Sequence, residues 1–499
     1  MSEATVKSRN DAQMSGSDVE KHDVAPVNSA AKRQLYKARV QIYPKLVHGF
    51  YRHLKWIVLA ITLGIYYLLP WLRWPRGVGE PSQAVLVDFP GRRFYFFFIE
   101  IWPDELYYVT GLLIIAALGL FLATSLFGRV WCGYTCPQTV WTDLYIAVER
   151  LVEGDRNKRM KLAKDPWTAS KISKKVTKHA LWLIIAAATG GAWVFYFHDA
   201  PTIFPQIFRG EAPLSAYLFI GILTLTTYTF AGSMREQICT YMCPWPRIQA
   251  ALVDAETLQV TYKTDRGEPR GPHKKGETWD GRGDCIDCNA CVAACPMGID
   301  IRDGAQLECI NCALCIDACD DIMKKVGRPS RLIGYDTDKN IARRAAGEKP
   351  KVQLFRSRTV LYAVVLAIVS GLMAWSLLTR ATMEVNVIRD RTPPFVVLSD
   401  GSIRNGYTIK IVNKATEARD LILEVSGAPD LSVSAIGETF DGAKATITAE
   451  PDGVRSLRIF VTTAPNRSLH ATFPLTVTLR DPVTGETADS PTTFLTERR

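Results

Sequence analysis

Apolar and polar positions divide this chain into three kinds of segment. Five runs, at 55–72, 105–127, 179–197, 213–231 and 359–379, are nearly continuous in hydrophobic residues. Each approaches the about 20 residues that a helix needs to cross a bilayer core. Trp56, Trp71, Trp102, Tyr107, Trp131 and Trp375 gather near their ends, where interfacial residues belong. The pattern predicts five spanning helices. From residue 381 onward the period becomes two, as in Tyr407, Ile409, Ile411 or Leu475, Val477, Leu479. Turn sequences at Ser399-Asp-Gly, Pro451-Asp-Gly and Asp481-Pro separate these runs. About seven short strands follow, arranged as an antiparallel sandwich of immunoglobulin type. Between the fourth and fifth apolar runs lies a segment with neither period. Residues 1 to about 35, almost without aromatics, read as disordered.

Charge orients this plan. The chain carries 60 Lys+Arg against 50 Asp+Glu, and the excess is unevenly spread. Lys32, Arg33, Lys37, Arg39, Lys45 and Arg52 precede the first run. Arg156, Lys158, Arg159, Lys161, Lys164, Lys171, Lys174 and Lys175 lie between the second and third, whereas Arg209 stands alone between the third and fourth. The loop at 73–103 is less clean, with Arg73, Arg76, Arg92 and Arg93. Positive residues stay on the cytoplasmic side, so the N-terminus is expected there, and no secretory signal is apparent in the first 54 residues. The expected organisation is multidomain. A partly disordered cytoplasmic tail (1–54) leads into a polytopic α-helical membrane domain with four helices (55–250). A cytoplasmic α+β segment (251–355), a fifth transmembrane helix (356–380) and a periplasmic all-β immunoglobulin-like sandwich (381–499) follow.

The cysteines bring in chemistry. All twelve fall between Cys132 and Cys319. Eight form two runs of one spacing, Cys285-x2-Cys288-x2-Cys291-x3-Cys295 and Cys309-x2-Cys312-x2-Cys315-x3-Cys319. Three thiolates at successive x2 intervals wrap one corner of an iron–sulfur cube, and the fourth cysteine reaches the neighbouring cube. Cys285, Cys288, Cys291 and Cys319 are therefore expected to hold one [4Fe–4S] cluster, and Cys309, Cys312, Cys315 and Cys295 the other. Zinc ribbons use separated CxxC pairs instead. Pro296 follows the first run, but Asp320 follows the second. A carboxylate beside Cys319 should make electrons harder to add to its cluster.

The other four cysteines form two CxxxCP copies, Cys132/Cys136-Pro137 and Cys239/Cys243-Pro244, offset by 107 residues. Each follows a run that returns to the cytoplasm, so a helical hairpin is repeated. In a helix the i,i+4 cysteines share one face. The proline favours starting a new helix at the second cysteine, which places Cys136 and Cys243 at helix N-termini with lowered pKa. Arg129 and Arg235 add positive charge nearby. Four thiols at one depth can bind a soft metal such as Cu(I), cycle as disulfides or ligate a further cluster. Met234 and Met242 could contribute thioethers, although gap-filling is the commoner use. Inert packing is the plain alternative, and the repeated spacing with its repeated proline speaks against it. His53, His179 and His198 lie at different depths, which argues for snorkelling side chains over a haem.

Taken together, these features resemble the family of cytochrome c oxidase accessory proteins that includes CcoG, FixG, RdxA and RdxB. RRFYFFFIEIWPDELYYVTGLLI from Arg92, TYKTDRGEPRG from Thr261 and RDRTPPFVVLSDGSIRNGYTIK from Arg389 are similar to that family as well. The resemblance implies a multi-pass protein of the bacterial inner membrane that acts in assembly of the cbb3-type oxidase. It implies a cupric reductase, with the eight ferredoxin cysteines as electron relay. Cys132, Cys136, Cys239 and Cys243, with Met242 beside them, would bind or reduce copper as substrate. Expected partners are the membrane, oxidase subunits or copper chaperones and a cytoplasmic electron donor, not nucleic acid. A quinol-linked electron conduit and a non-enzymatic assembly scaffold are the alternative functions.

Overall fold

A computed structural model describes residues 19–28, 40–76, 80–273, 277–415, 417–427, 431–463 and 472–496. They fall into two compact units, one reaching to residue 373 and the other comprising 76–80 and the chain from residue 374.

The first unit joins a helical part to a small cysteine-rich module. Its helices are α1 (Phe50–Leu68), α2 (Tyr107–Phe127), α3 (Val130–Tyr134), α4 (Pro137–Glu153), α5 (Arg156–Lys164), α6 (Ala169–Val194), α7 (Ala200–Arg209), α8 (Leu214–Thr227) and α9 (Trp245–Leu252). A three-stranded sheet (β1 Val85–Asp88, β2 Arg93–Phe96, β3 Ile99–Ile101) fills the loop between α1 and α2. Four stretches among the described residues are long and apolar enough to cross a membrane: Phe50–Trp71, Pro103–Phe127, Leu214–Met234 and Ser357–Leu378. The third expected run, 179–197, is not one of them. It forms the second half of α6, whose first half carries Lys171, Lys174, Lys175 and Lys178. What holds α6 in place is close packing on α8, because a Cβ at Gly190 would stand 2.8 Å from the carbonyl oxygen of Ile220. Small residues permit that approach between membrane helices.

Helix α4 is amphipathic in an inverted sense, with buried charges as its anchors. Asp143 accepts two hydrogen bonds of 2.9 Å from Arg52 of α1. Glu149 pairs with Arg159 of α5 and, at 2.7 Å, with Arg235. Glu153 takes Lys175 and Lys178 of α6 at 2.9 and 3.2 Å. Such pairs contribute little net stability, but breaking one leaves a stranded charge. They therefore fix which helices surround α4.

The cysteine module contains α10 (Thr264–Gly267), α11 (Ala290–Ala294), α12 (Leu314–Lys325), α13 (Asp338–Ala345) and a two-stranded sheet of β4 (Gln259–Tyr262) and β5 (Ile333–Asp336). The disorder expected for residues 1–35 lies partly outside the described residues. Residues 19–28, however, run extended across this module. Val19 and His22 are buried, His22 N–H donates to Cys288 O at 3.0 Å, and Val27 N–H donates to Gly298 O at 2.8 Å.

After α14 (Ser357–Leu378), the second unit is all β. One sheet runs β10–β12–β8–β6 with β7 added on β8; the other runs β11–β9–β13–β14. The strands are β6 (Met383–Arg389), β7 (Val396–Val397), β8 (Ile403–Asn413), β9 (Arg419–Ser426), β10 (Leu431–Ala435), β11 (Lys444–Ala449), β12 (Gly453–Thr463), β13 (Thr472–Arg480) and β14 (Thr487–Leu495). The alternating residues of the sequence, including Tyr407, Ile409, Leu423, Ile459 and Val477, form its buried core. Among the described residues there are nine strands, more than the about seven expected. The added ones include the two-residue β7, too short to show a period.

Candidate iron–sulfur and thiol site

Each ferredoxin run folds the same way because each places left-handed residues around its second cysteine. Asp287 and Asn289 (φ 54° and 59°) flank Cys288, and Asn311 and Ala313 (φ 52° and 60°) flank Cys312. Such alternation turns successive N–H groups into a concave anion nest. Backbone N–H groups at Ala290 and Asn311 hydrogen-bond the sulfurs of Cys288 and Cys309. Cys319 lies in electrostatic range of Cys291, Cys288 and Cys285, and Cys295 in range of Cys312 and Cys309. A cavity lined by Cys291, Cys295, Cys309, Cys312 and Cys315 opens between the runs. Thiols in an N–H nest around a cavity fit a [4Fe–4S] cluster well.

The difference between Pro296 and Asp320 follows from helix length. Helix α11 stops at Ala294, so Cys295-Pro296 lies beyond it. Helix α12 continues through Asp320 to Lys325, and a proline there would clash with the preceding turn. Asp320 instead accepts the N–H of Arg331 at 2.6 Å, and its charge acts on the Cys319 thiol.

The two CxxxCP turns form a broken repeat. Gly128 (φ 61°) and Arg235 (φ 44°) are the left-handed residues that end α2 and the Tyr228–Met234 π-helix. Their offset (235 − 128 = 107) matches that of the cysteines (239 − 132 = 107). Glycine meets that conformation without strain; Arg235 does so with its side chain held by Glu149 and by Gly232 O at 2.8 Å. Cys132 then sits in α3, and Cys239 in a second π-helical turn, Ile238–Met242. Cys136 is the N-cap of α4 as expected, but Pro244, not Cys243, is the N-cap of α9.

The four thiols lie within electrostatic range of one another, although no three of their sulfurs fall within 4.8 Å of one another. Cys132 lies near Cys136 and Cys243, and Cys239 near Cys136, Cys132 and Cys243. Cys132 Sγ–H donates to Oε1 of the fully buried Gln249 at 3.1 Å. Gln249 is on α9, so it ties the first turn to the second, and no spacing in the sequence marks it. Met242 is 54% exposed, unlike the thiols. The expected pKa lowering does not occur at Cys136. Burial raises its pKa against the opposing N–H groups of Thr139 and Gln138. Burial, followed by the neighbouring thiols, pushes Cys132 and Cys239 up to about 12. Burial thus favours the neutral thiol at Cys132 and Cys239, and a metal bound there would have to displace their protons.

The first turn docks directly on the second ferredoxin run. A Cβ at Gly133 would meet Ile310 O at 2.6 Å, Asn311 O at 3.0 Å and Cys312 Cα at 3.0 Å. Cys132 belongs to the same buried cluster as Cys291, Cys312 and Cys319, with Cys239 packed against it. A second cavity, between the turns and the module, is lined by Asp143, Arg235, Glu236, Cys239, Pro296 and Met297 among others. Met297 lines this cavity and the cluster cavity alike.

Known proteins are similar to this chain over most of its length. The nitrogen fixation protein FixG of Rhizobium meliloti is 51% identical over 494 residues, covering 93% of this chain and 94% of its own. The chain belongs to the FixG/RdxA/RdxB family. RdxB and RdxA of Cereibacter sphaeroides, two further relatives, are 54% and 53% identical, covering 84% and 89% of this chain and 87% and 93% of theirs. Family models agree part by part: a 4Fe-4S dicluster domain matches residues 234–338, and the IG-like fold at the C-terminal of FixG matches 373–497. A 4Fe-4S binding domain matches 109–155, the segment of the first CxxxCP turn. This family member is thus an iron–sulfur membrane protein with an immunoglobulin-like C-terminal domain.

Proposed function

We propose that this protein carries single electrons from a cytoplasmic donor through the ferredoxin module to the four membrane thiols, where Cu(II) is reduced to Cu(I) for assembly of a cbb3-type oxidase. The packing of Cys132 and Cys239, two soft ligands, into the buried cluster of the ferredoxin module carries this reading. Thiolates suit Cu(I), as they do zinc and iron–sulfur clusters, and clusters supply electrons singly. The cysteine sets 285/288/291/319 and 309/312/315/295 would hold the two [4Fe–4S] clusters. Cys132, Cys136, Cys239 and Cys243 bind the copper substrate.

The topology in this reading counts α6 as a fifth crossing. Its 26 residues span about 39 Å, and its apolar half is packed against the membrane-spanning α8. The lysines of its first half then remain cytoplasmic. The sandwich falls on the periplasmic side, where it serves as a docking module.

A 4Fe-4S binding domain matched at 109–155 favours a second use of the same thiols, a third cluster. Replacing both Cys136 and Cys243 by Ser decides the matter. In the copper reading, iron, labile sulfide and cluster EPR signals persist while Cu(I) binding and Cu(II) reduction collapse. A fall of iron by about a third, from about twelve to about eight per chain on the usual cube stoichiometry, would assign the thiols to a cluster instead.

A further inference from the structure

Arg129 is 7% exposed, yet among the described residues no carboxylate pairs with it. Its acceptors are backbone carbonyls from two distant segments. Nη1 donates to Leu307 O and, at 3.3 Å, to Cys309 O; Nη2 donates to Pro246 O at 2.7 Å. The first two belong to the loop that begins the second ferredoxin run, and the third follows the second CxxxCP turn. Arg129 itself begins the first turn, three residues before Cys132. One guanidinium thus bonds both of the other segments that meet at the thiols, which a five-donor planar fork can do and an ammonium cannot.

A buried cation with carbonyl partners alone is short of negative charge. Among the ionisable groups that act on it are the thiols of Cys309, Cys132 and Cys239. A cluster held by four thiolates is an anion in place beside Cys309. The first ferredoxin run has a counterpart in Arg302, which acts on Cys291 and Cys288. Arg302, however, is surrounded by Asp300, Asp287 and Asn289, with Nη1 2.6 Å from Asp287 and Nη2 2.6 Å from Asp300. Its charge is largely offset, and Asp320 adds a carboxylate on the same side. Arg129 therefore brings a cation without a paired carboxylate to the Cys309 set, next to the buried Glu308, whereas the cation of the other set is paired with Asp287 and Asp300.

We infer that Arg129 is the counter-ion and clamp of the Cys309 set: it holds that loop against both CxxxCP turns and raises the reduction potential of the cluster bound there, leaving the other cluster untouched. The inference builds on the electron-transfer reading above, but its test uses neither copper nor an acceptor. A failure of copper reduction and a failure of this inference are therefore separate results.

The test is an EPR-monitored redox titration of the full chain, purified anaerobically with clusters in place, for Arg129→Gln, Arg129→Lys and Arg302→Gln. Arg129→Gln should lower one midpoint by about tenfold in the reduction equilibrium, about 59 mV for one electron. Arg129→Lys, which keeps the charge but not the fork, should lower that midpoint by clearly less than Gln does. Arg302→Gln should act on the other midpoint alone. If Arg129→Gln prevents loading, the loss should be confined to half the iron, with the surviving cluster at its parental midpoint. The inference is overturned if both arginines move the same midpoint, if Arg129→Gln moves neither, or if Lys shifts it as far as Gln.

Discussion

Replacing Gly133 by Ala tests whether the first cysteine turn is keyed to the ferredoxin module. A Cβ there meets three backbone atoms, at 2.6, 3.0 and 3.0 Å, and none can rotate away as a side chain would. Overpacking of this kind costs up to about 3 kcal/mol. Ala improves on Gly in a helix by about 1 kcal/mol, so the net loss is about 2 kcal/mol. Gly119 is the control: it lies within α2, with nothing within 4 Å of where a Cβ would stand. Gly119→Ala should gain about 1 kcal/mol, which separates the two substitutions by about 3 kcal/mol. The assay is thermal unfolding of loaded protein in one detergent, followed by the cluster absorbance. Gly133→Ala should keep its iron at low temperature and transfer electrons to the membrane thiols more slowly than the parent. Equal stability of the two variants, with parental transfer in both, would refute direct docking at Gly133.

Other consequences follow from single residues. Asp143→Asn strands Arg52 and Lys55 (2.9 and 3.9 Å from the carboxylate) and should cost about 3 kcal/mol or more in a denaturation series. Asp320→Asn removes the carboxylate beside Cys319, so a redox titration should show that cluster alone shifted to higher potential. Burial pushes the pKa of Cys132 and Cys239 up to about 12, so Cu(I) would have to displace protons to bind there. Apparent affinity should then rise with pH across the neutral range in a competition titration, with proton release measurable in weak buffer; affinity independent of pH would count against thiol ligation. Reporter fusions after Ala200 and Arg380 should read periplasmic and one near Trp279 cytoplasmic, and a cytoplasmic signal after Arg380 would remove α6 from the crossings.

The sequence made local features plain and long-range ones obscure. The ferredoxin runs were legible because ligation by x2 spacing is a local constraint, and so were the β-strands, whose period of two records one buried face. The CxxxCP repeat announced a shared depth, but burial is a tertiary property, and the pKa of Cys136 follows burial over its N-cap position. Likewise Arg129 reads in the sequence as general positive charge. Its partners lie 117 and 178 to 180 residues away. Residues 19–28 looked disordered because their composition is polar, yet their backbone N–H groups and a few apolar contacts, such as Val19, join them to the module. The run 179–197 was legible as apolar, but its packing on α8 through Gly190 is a tertiary contact that no sequence pattern marks.

The central claim is that electrons stored on the ferredoxin module reach copper through the membrane thiols. Its most direct test is to reduce the purified protein anaerobically, remove the reductant, add Cu(II) and follow Cu(I) with a chelator while the cluster EPR signal decays. With two one-electron clusters, the parent should yield about two Cu(I) per chain as both signals vanish. The Cys136→Ser/Cys243→Ser protein should keep its reduced signals and yield almost none. If the serine protein makes Cu(I) at the parental rate, electrons leave the clusters directly and the thiols are not the site of reduction.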